Sequence, residues 1–213
     1  ANDYAFFIQG LLELFKATFE PDLLIKAADL QKLMIEHFWD EENGGFFLTA
    51  NTAEKLPSRP KELYDGATPS ANSTAFSNLL LLSRLTGDSK WEEKAKELGQ
   101  TFSGAVKRSL SAFAHFMTGL EFALGKGREV VIVGKSSSPE VEKMLSAVNG
   151  KYLPDSVLIL KSRRNEAGLA EIAPYTEPMK EIDGKATAYV CSGFACGKPT
   201  IDVEELNKML SAS

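Results

Sequence analysis

Residues 68–102 run TPSANSTAFSNLLLLSRLTGDSKWEEKAKELGQTF, and their reading decides the fold. Behind Thr68-Pro69, the apolar residues Phe76, Leu79, Leu80 and Leu82 recur at helical spacing. Gly87 supplies the left-handed residue at which such a helix stops. Ser89 and Glu92 then stand at the spacing of a capping box, and Trp91, Ala95, Leu98 and Phe102 form the stripe of a second helix. Two amphipathic helices with so short a break between them fold back as an antiparallel hairpin.

The pattern extends both ways. Upstream, Asp3 is placed to cap a helix that buries Phe7, Ile8, Leu11, Leu12 and Phe15. Pro21 suits the first position of a second helix, because its missing N–H costs nothing there, and Leu23, Leu24, Ala27, Leu30, Met34 and Phe38 give that helix its stripe. Downstream, Ala112 to Leu124 reads as a fifth helix. Past Gly127 the period changes. Val130–Val133 and Val157–Leu160 read as short buried strands on either side of a helix from Pro139 to Val148, the order of a parallel pair with a right-handed crossover. Thr187–Val190 adds a candidate third strand, and Asp202 caps a last helix carrying Val203, Leu206 and Leu210. The expected fold is mainly α, with helical hairpins over residues 1–126 and a small α/β unit over 127–213.

Composition narrows the function classes. The 213 residues are 44% hydrophobic and 25% charged, which is ordinary for a globular protein. A net charge of −5 argues against a nucleic-acid partner, which calls for a basic face. No apolar run approaches the roughly 20 residues that span a bilayer. The opening Ala1-Asn2-Asp3 is unlike a secretory leader and lacks Met, as expected of a cut or processed chain. With 2 cysteines the chain is no disulfide scaffold, so a reducing cytoplasm is the expected setting.

Several short motifs fail on their own chemistry. Gly134-Lys135-Ser136 follows a strand as a phosphate loop would end, but Glu129 stands where the first glycine belongs. Gly125 and Gly127 precede the strand, and Val130 occupies the third glycine position of a dinucleotide turn. Asp40-Glu41-Glu42-Asn43-Gly44-Gly45 lacks the third ligand of a calcium loop, and Asn51 replaces its closing glutamate. Cys191 and Cys196 do not have zinc or redox spacing, so they read as structural thiols, with a reversible disulfide as the alternative. His37 and His115 lie among apolar residues and read as packed histidines ahead of general bases. The Asn72-Ser73-Thr74 sequon reads as a chance match. No metal and no cofactor is expected.

Between the second and third helices the chain does something else. Asn43-Gly44 beside the run Phe46-Phe47-Leu48 signals a hairpin turn. Residues 49–68 then lack apolar periodicity; loops of that length inside a domain tend to be functional or disordered, and Tyr64 with the charged residues favours an ordered loop. Glu62-Leu63-Tyr64-Asp65-Gly66-Ala67-Thr68-Pro69-Ser70-Ala71-Asn72-Ser73 brings two carboxylates, a tyrosine and an amide to a helix start with free N–H groups. Sugar sites use this mixture, carboxylates for acid–base work and aromatic faces for C–H surfaces. The alternative is that Asp65 and Ser70 only organise the turn.

These motifs, with Asp3-Tyr4-Ala5-Phe6, Phe38-Trp39-Asp40, Gly44-Gly45-Phe46-Phe47 and the ending from Ala188 through Cys191, Phe194, Cys196 and Pro199, resemble the C-terminal part of one family. It is the YyaL-like, spermatogenesis-associated family, which joins a thioredoxin-like domain to a six-hairpin glycosidase-like α/α toroid. The resemblance implies a partial toroid here, without the thioredoxin-like domain and the first toroid helices. The helices read above are too few to close such a ring, so an open apolar edge and self-association are expected. Two functions follow as expectations. In the first, the fragment binds and converts a small carbohydrate, with Glu62 and Asp65 as catalytic carboxylates and Trp39, Phe46, Tyr64 and Asn72 as binding residues. In the second, the hairpins are a non-catalytic scaffold or interaction module supporting a redox domain.

Overall fold

Two long amphipathic helices, α1 (Asn2–Thr18) and α2 (Pro21–Phe38), pack on each other through Ile8, Leu12, Phe15, Leu24, Ala27 and Met34. The computed structural model describes residues 1–54, 57–125 and 127–211; the boundary expected at residue 126 lies outside the described residues. Asp3 sits inside the first turn of α1 and not at its cap, where it still faces the positive end of the helix dipole. Pro21 does take the first position of α2.

The helix α3 (Ala71–Thr86) is buried on nearly every side, which fits its Leu-rich sequence and its central place. It packs against α1, against α4 (Ser89–Arg108) and against α5 (Ala114–Leu124). Buried Asn78 donates its Nδ2 to the Ala5 carbonyl at 2.8 Å, fixing α3 to α1. The helix begins at Ala71, just past Thr68-Pro69, and Ser70 caps it, because its side chain accepts the Ser73 N–H. Gly87 ends the helix at φ 77°, as its type predicts. Asp88 caps α4 in place of the expected Ser89, accepting the Lys90 N–H. The fifth helix starts two residues late, after a 3-10 turn at Leu110–Phe113. Among the described residues no helix is long and apolar enough to cross a membrane.

The C-terminal part is an α/β unit. Strands β1 (Arg128–Val133) and β2 (Ser156–Lys161) pair in parallel, joined through α6 (Pro139–Asn149). The segment α7 (Glu166–Ile172) follows, and then β3 (Thr187–Ser192) and β4 (Ala195–Cys196) complete a sheet of order β2-β1-β3-β4. β3 runs antiparallel to β1, and α8 (Val203–Ser211) closes the chain. Asp202 caps α8 as read, accepting the N–H groups of Glu204 and Glu205.

The sheet has two buried faces. Val131, Val133 and Ile159 join the core of the helical hairpins, whereas Val130 and Ile132 pack with α6 and α8 through Val141, Met144 and Leu206. A buried ion pair adds a polar tie between the two parts: Arg84 at the end of α3 meets fully buried Glu129 at 3.0 Å. The other Glu129 oxygen accepts the Phe194 N–H at 3.1 Å.

Two readings of the sequence are corrected. The Asn-Gly signal gives a tight turn with a single bridge between Trp39 and Phe46, and residues 46–48 form no strand. Cys191 and Cys196 are not free thiols but a disulfide. Gly193 and Phe194, both at positive φ, make the two-residue turn that sets Cys191 opposite Cys196 across β3 and β4. The four-residue spacing, wrong for zinc, is right for a hairpin.

Candidate functional site

The loop from residue 39 to the start of α3 is latched by its own polar groups. Asp40 accepts the N–H groups of Glu42 and Asn43 and meets the Lys61 ammonium at 2.6 Å. The Lys61 hydrogen bond, foremost, holds the Asp40 carboxyl down at about 2, against an ordinary 3.8, and the two N–H donors add to it. Lys61 also donates to the Gly44 carbonyl at 2.6 Å. Arg59 donates to the Thr49 carbonyl at 2.6 Å and lies over the Phe47 ring at 4.1 Å.

Asn72 closes the same loop from within. Its Oδ1 accepts the Phe46 N–H at 2.7 Å, and its Nδ2 donates to the carbonyls of Phe46 at 3.0 Å and Glu62 at 2.7 Å. The residue is fully buried. Trp39 and Phe46 pack edge to face at 4.9 Å within the core, Phe46 with no exposed surface at all. Neither ring therefore presents a face on which a sugar could stack, and the Asn72 amide is engaged with backbone.

Asp65 has a more pointed role. One carboxylate oxygen accepts the Ser70 N–H at 2.9 Å, and the other accepts those of His115 and Phe116 at 2.9 and 3.1 Å. His115 and Phe116 lie in the first turn of α5, so Asp65 caps that helix from fifty residues away and opposes its positive dipole end. Its own N–H donates to the Ala112 carbonyl at 3.0 Å. Glu62 and Tyr64, by contrast, are exposed, and neither side chain has a hydrogen-bond or ion-pair partner among the described residues. The structure thus leaves Glu62 and Tyr64 open on the loop while the other four expected site residues hold the fold.

His37 and His115 are half-buried, with Nδ1 of the first and Nε2 of the second lacking a partner among the described residues. Two buried charged residues and a half-buried tyrosine carried no signal beyond their place in a strand or turn. Glu129 joins the two parts of the chain. Lys161 donates from a buried ammonium to the carbonyls of Thr176, Glu177 and Met179 at 2.7, 3.0 and 3.0 Å, and burial lowers its pKa. Burial, with Glu129 nearby, pushes the Tyr175 hydroxyl up. Only the oddity of a charge inside an apolar strand run could have flagged Glu129 or Lys161.

The architecture is therefore mainly α, with helical hairpins against a small mixed sheet, and a polar latch where the hairpins meet. Among known proteins, the chain is similar to spermatogenesis-associated protein 20 of Homo sapiens, 35% identical over 98% of the chain and 27% of that protein. The Mus musculus protein of the same name is 34% identical over the same shares. An uncharacterised Caenorhabditis elegans protein is 32% identical over 99% of the chain and 28% of its own length. The chain thus spans little more than a quarter of these relatives. No protein-family model matches it.

Proposed function

We propose that the chain is a non-catalytic helical module, part of an α/α toroid, whose open face on α1 and α2 receives further helical structure of a longer protein. One observation carries this reading. Phe7 and Leu14, seven residues apart on one side of α1, are 63% and 49% exposed, and a shallow groove lined by Tyr4, Phe6, Phe7 and Leu30 of α2 opens at the Phe7 end. Apolar side chains in line on a helix surface are the mark of a docking face. The relatives extend well beyond the matched length, which supplies chain to cover it. The scaffold reading also accounts for a loop whose Asp65 and Asn72 are bonded inwards.

A second reading keeps the loop as a carbohydrate site, epimerase- or hydrolase-like, and what favours it is the open pair Glu62 and Tyr64. Light scattering at rising protein concentration separates the two. The scaffold reading expects self-association of the isolated chain, abolished in Phe7→Lys/Leu14→Lys, and no change in unfolding temperature with mono- or disaccharides. A sugar at about a hundred times its dissociation constant would add roughly 2.7 kcal/mol. A stable monomer at every concentration, with a sugar-dependent shift lost in Glu62→Gln, overturns it in favour of the second.

A further inference from the structure

In open α/β sheets, ligands settle outside the carboxyl ends of parallel strands, at the point where successive connections leave toward opposite faces of the sheet. β1 and β2 make such a point. From β1 the chain passes to α6, on the face of Val130 and Ile132. From β2 it passes to α7, whose Leu169 joins the opposite face with Val131 and Ile159. The two loops therefore diverge, and between Gly134-Lys135-Ser136 and Ser162-Arg163-Arg164 opens a crevice of about 760 Å³. That volume is in the range of small-molecule sites.

The crevice is positive in a chain whose net charge is −5. Lys135, Lys161, Arg163, Arg164 and Lys180 line it against the carboxylates of Glu166, Glu177 and Glu181. Lys161 is engaged by carbonyls below the surface, and Arg164 pairs with Glu20 at 2.8 Å. Lys135, Arg163 and Lys180 have no ion-pair partner among the described residues. The backbone N–H groups of Lys135, Ser136, Arg163 and Arg164 likewise donate to no described atom. A side chain at Gly134 would bring its Cβ within 2.7 Å of Val141, so glycine lets α6 start close against the strand end. Ser138 caps that helix, accepting the Val141 N–H.

We propose that this crevice binds the phosphate group of a small phosphorylated metabolite, with Lys135 and Arg163 supplying charge and the two loops supplying N–H donors. Forked guanidinium and amide donors match phosphate oxygens, and a helix start nearby favours the anion. It is not the loop of a nucleoside triphosphatase, since Glu129 replaces the first glycine and lies buried on Arg84. The site lies in the α/β unit and is independent of the docking face on α1.

Calorimetric titration of the chain with inorganic phosphate, glucose 6-phosphate and glucose, at constant ionic strength, tests the proposal. The two phosphates should bind saturably, the ester the more tightly, and glucose should not bind. Lys135→Ala/Arg163→Ala, two exposed changes, should weaken the ester by about tenfold. Lys26→Ala/Lys90→Ala removes the same charge from exposed positions on α2 and α4 and should change nothing. Absence of saturable binding overturns the site. Equal weakening in both double variants overturns it too, since diffuse charge would then explain the affinity. Binding of inorganic phosphate with the ester excluded overturns the metabolite.

Discussion

Two loop regions hold similar side chains and use them in opposite ways. Between α2 and α3, Asp40, Lys61, Asp65 and Asn72 close on one another or on backbone, each at hydrogen-bond distance. At the carboxyl ends of β1 and β2, Lys135 and Arg163 have no ion-pair partner among the described residues, and the loop N–H groups beside them donate to no described atom. By residue type the first region looks more like a site than the second. Bonding reverses the order. A polar group that already has its partners stabilises a fold, and one that lacks them is available to a ligand.

Asn72→Ala should break this contrast hardest. It strands the Phe46 N–H and the carbonyls of Phe46 and Glu62 around a buried position. Lost partners of this kind cost about 1–3 kcal/mol each, and partial rehydration of the loop makes about 3 kcal/mol the expected total. Urea unfolding should show the midpoint falling with an unchanged slope. An unchanged midpoint would mean that the amide is not a latch.

How much of this was legible in the sequence differs by level. The helices were plain, because a stripe such as Leu24, Ala27 and Met34 repeats a fixed period. The parallel pair was plain too, since Val130–Val133 and Val157–Leu160 flank a helix. Caps shifted by a residue or two because Ser70, Asp88 and Ser89 can all cap, and the backbone entering each helix selects one. The latch was legible as a cluster but not in its role. That Asp65 faces the start of α5 depends on a contact across fifty residues, which no local spacing encodes. The disulfide was legible only as an alternative for a similar reason, since it needs the positive φ of Phe194 as well as that of Gly193.

A smaller effect compares neighbours on one loop. Asp65→Asn keeps the shape but removes the charge opposing the α5 dipole, and turns an amide NH₂ toward backbone donors. The expected loss is about 1–2 kcal/mol. Glu62→Gln, at an exposed carboxylate without a partner among the described residues, should stay within about 0.5 kcal/mol. Thermal unfolding of the two variants side by side checks this. Equal losses would dissolve the distinction between a latching and an open carboxylate.

The smallest effect sharpens the comparison through pH. In the folded chain Asp40 titrates at about 2, against an ordinary 3.8, chiefly because Lys61 hydrogen-bonds the ionised form. The unfolded chain therefore binds the proton more readily, so the Asp40 contribution is present above pH 4 or so and drains away as pH falls toward 2. Some solvent reaches the pair, which keeps the effect modest. Unfolding free energies of the wild type and Asp40→Asn, measured in urea from pH 6 down, should differ most at the top of the range and converge toward the bottom. Lys135→Ala/Arg163→Ala should differ from the wild type by a nearly constant amount over the same span, because neither cation is ion-paired with the crevice carboxylates Glu166, Glu177 and Glu181 or with any other described residue. Convergence in the second comparison would mean that one of the crevice carboxylates, Glu166, Glu177 or Glu181, pairs with these cations and that the region is a latch as well. A constant difference in the first would detach Asp40 from Lys61.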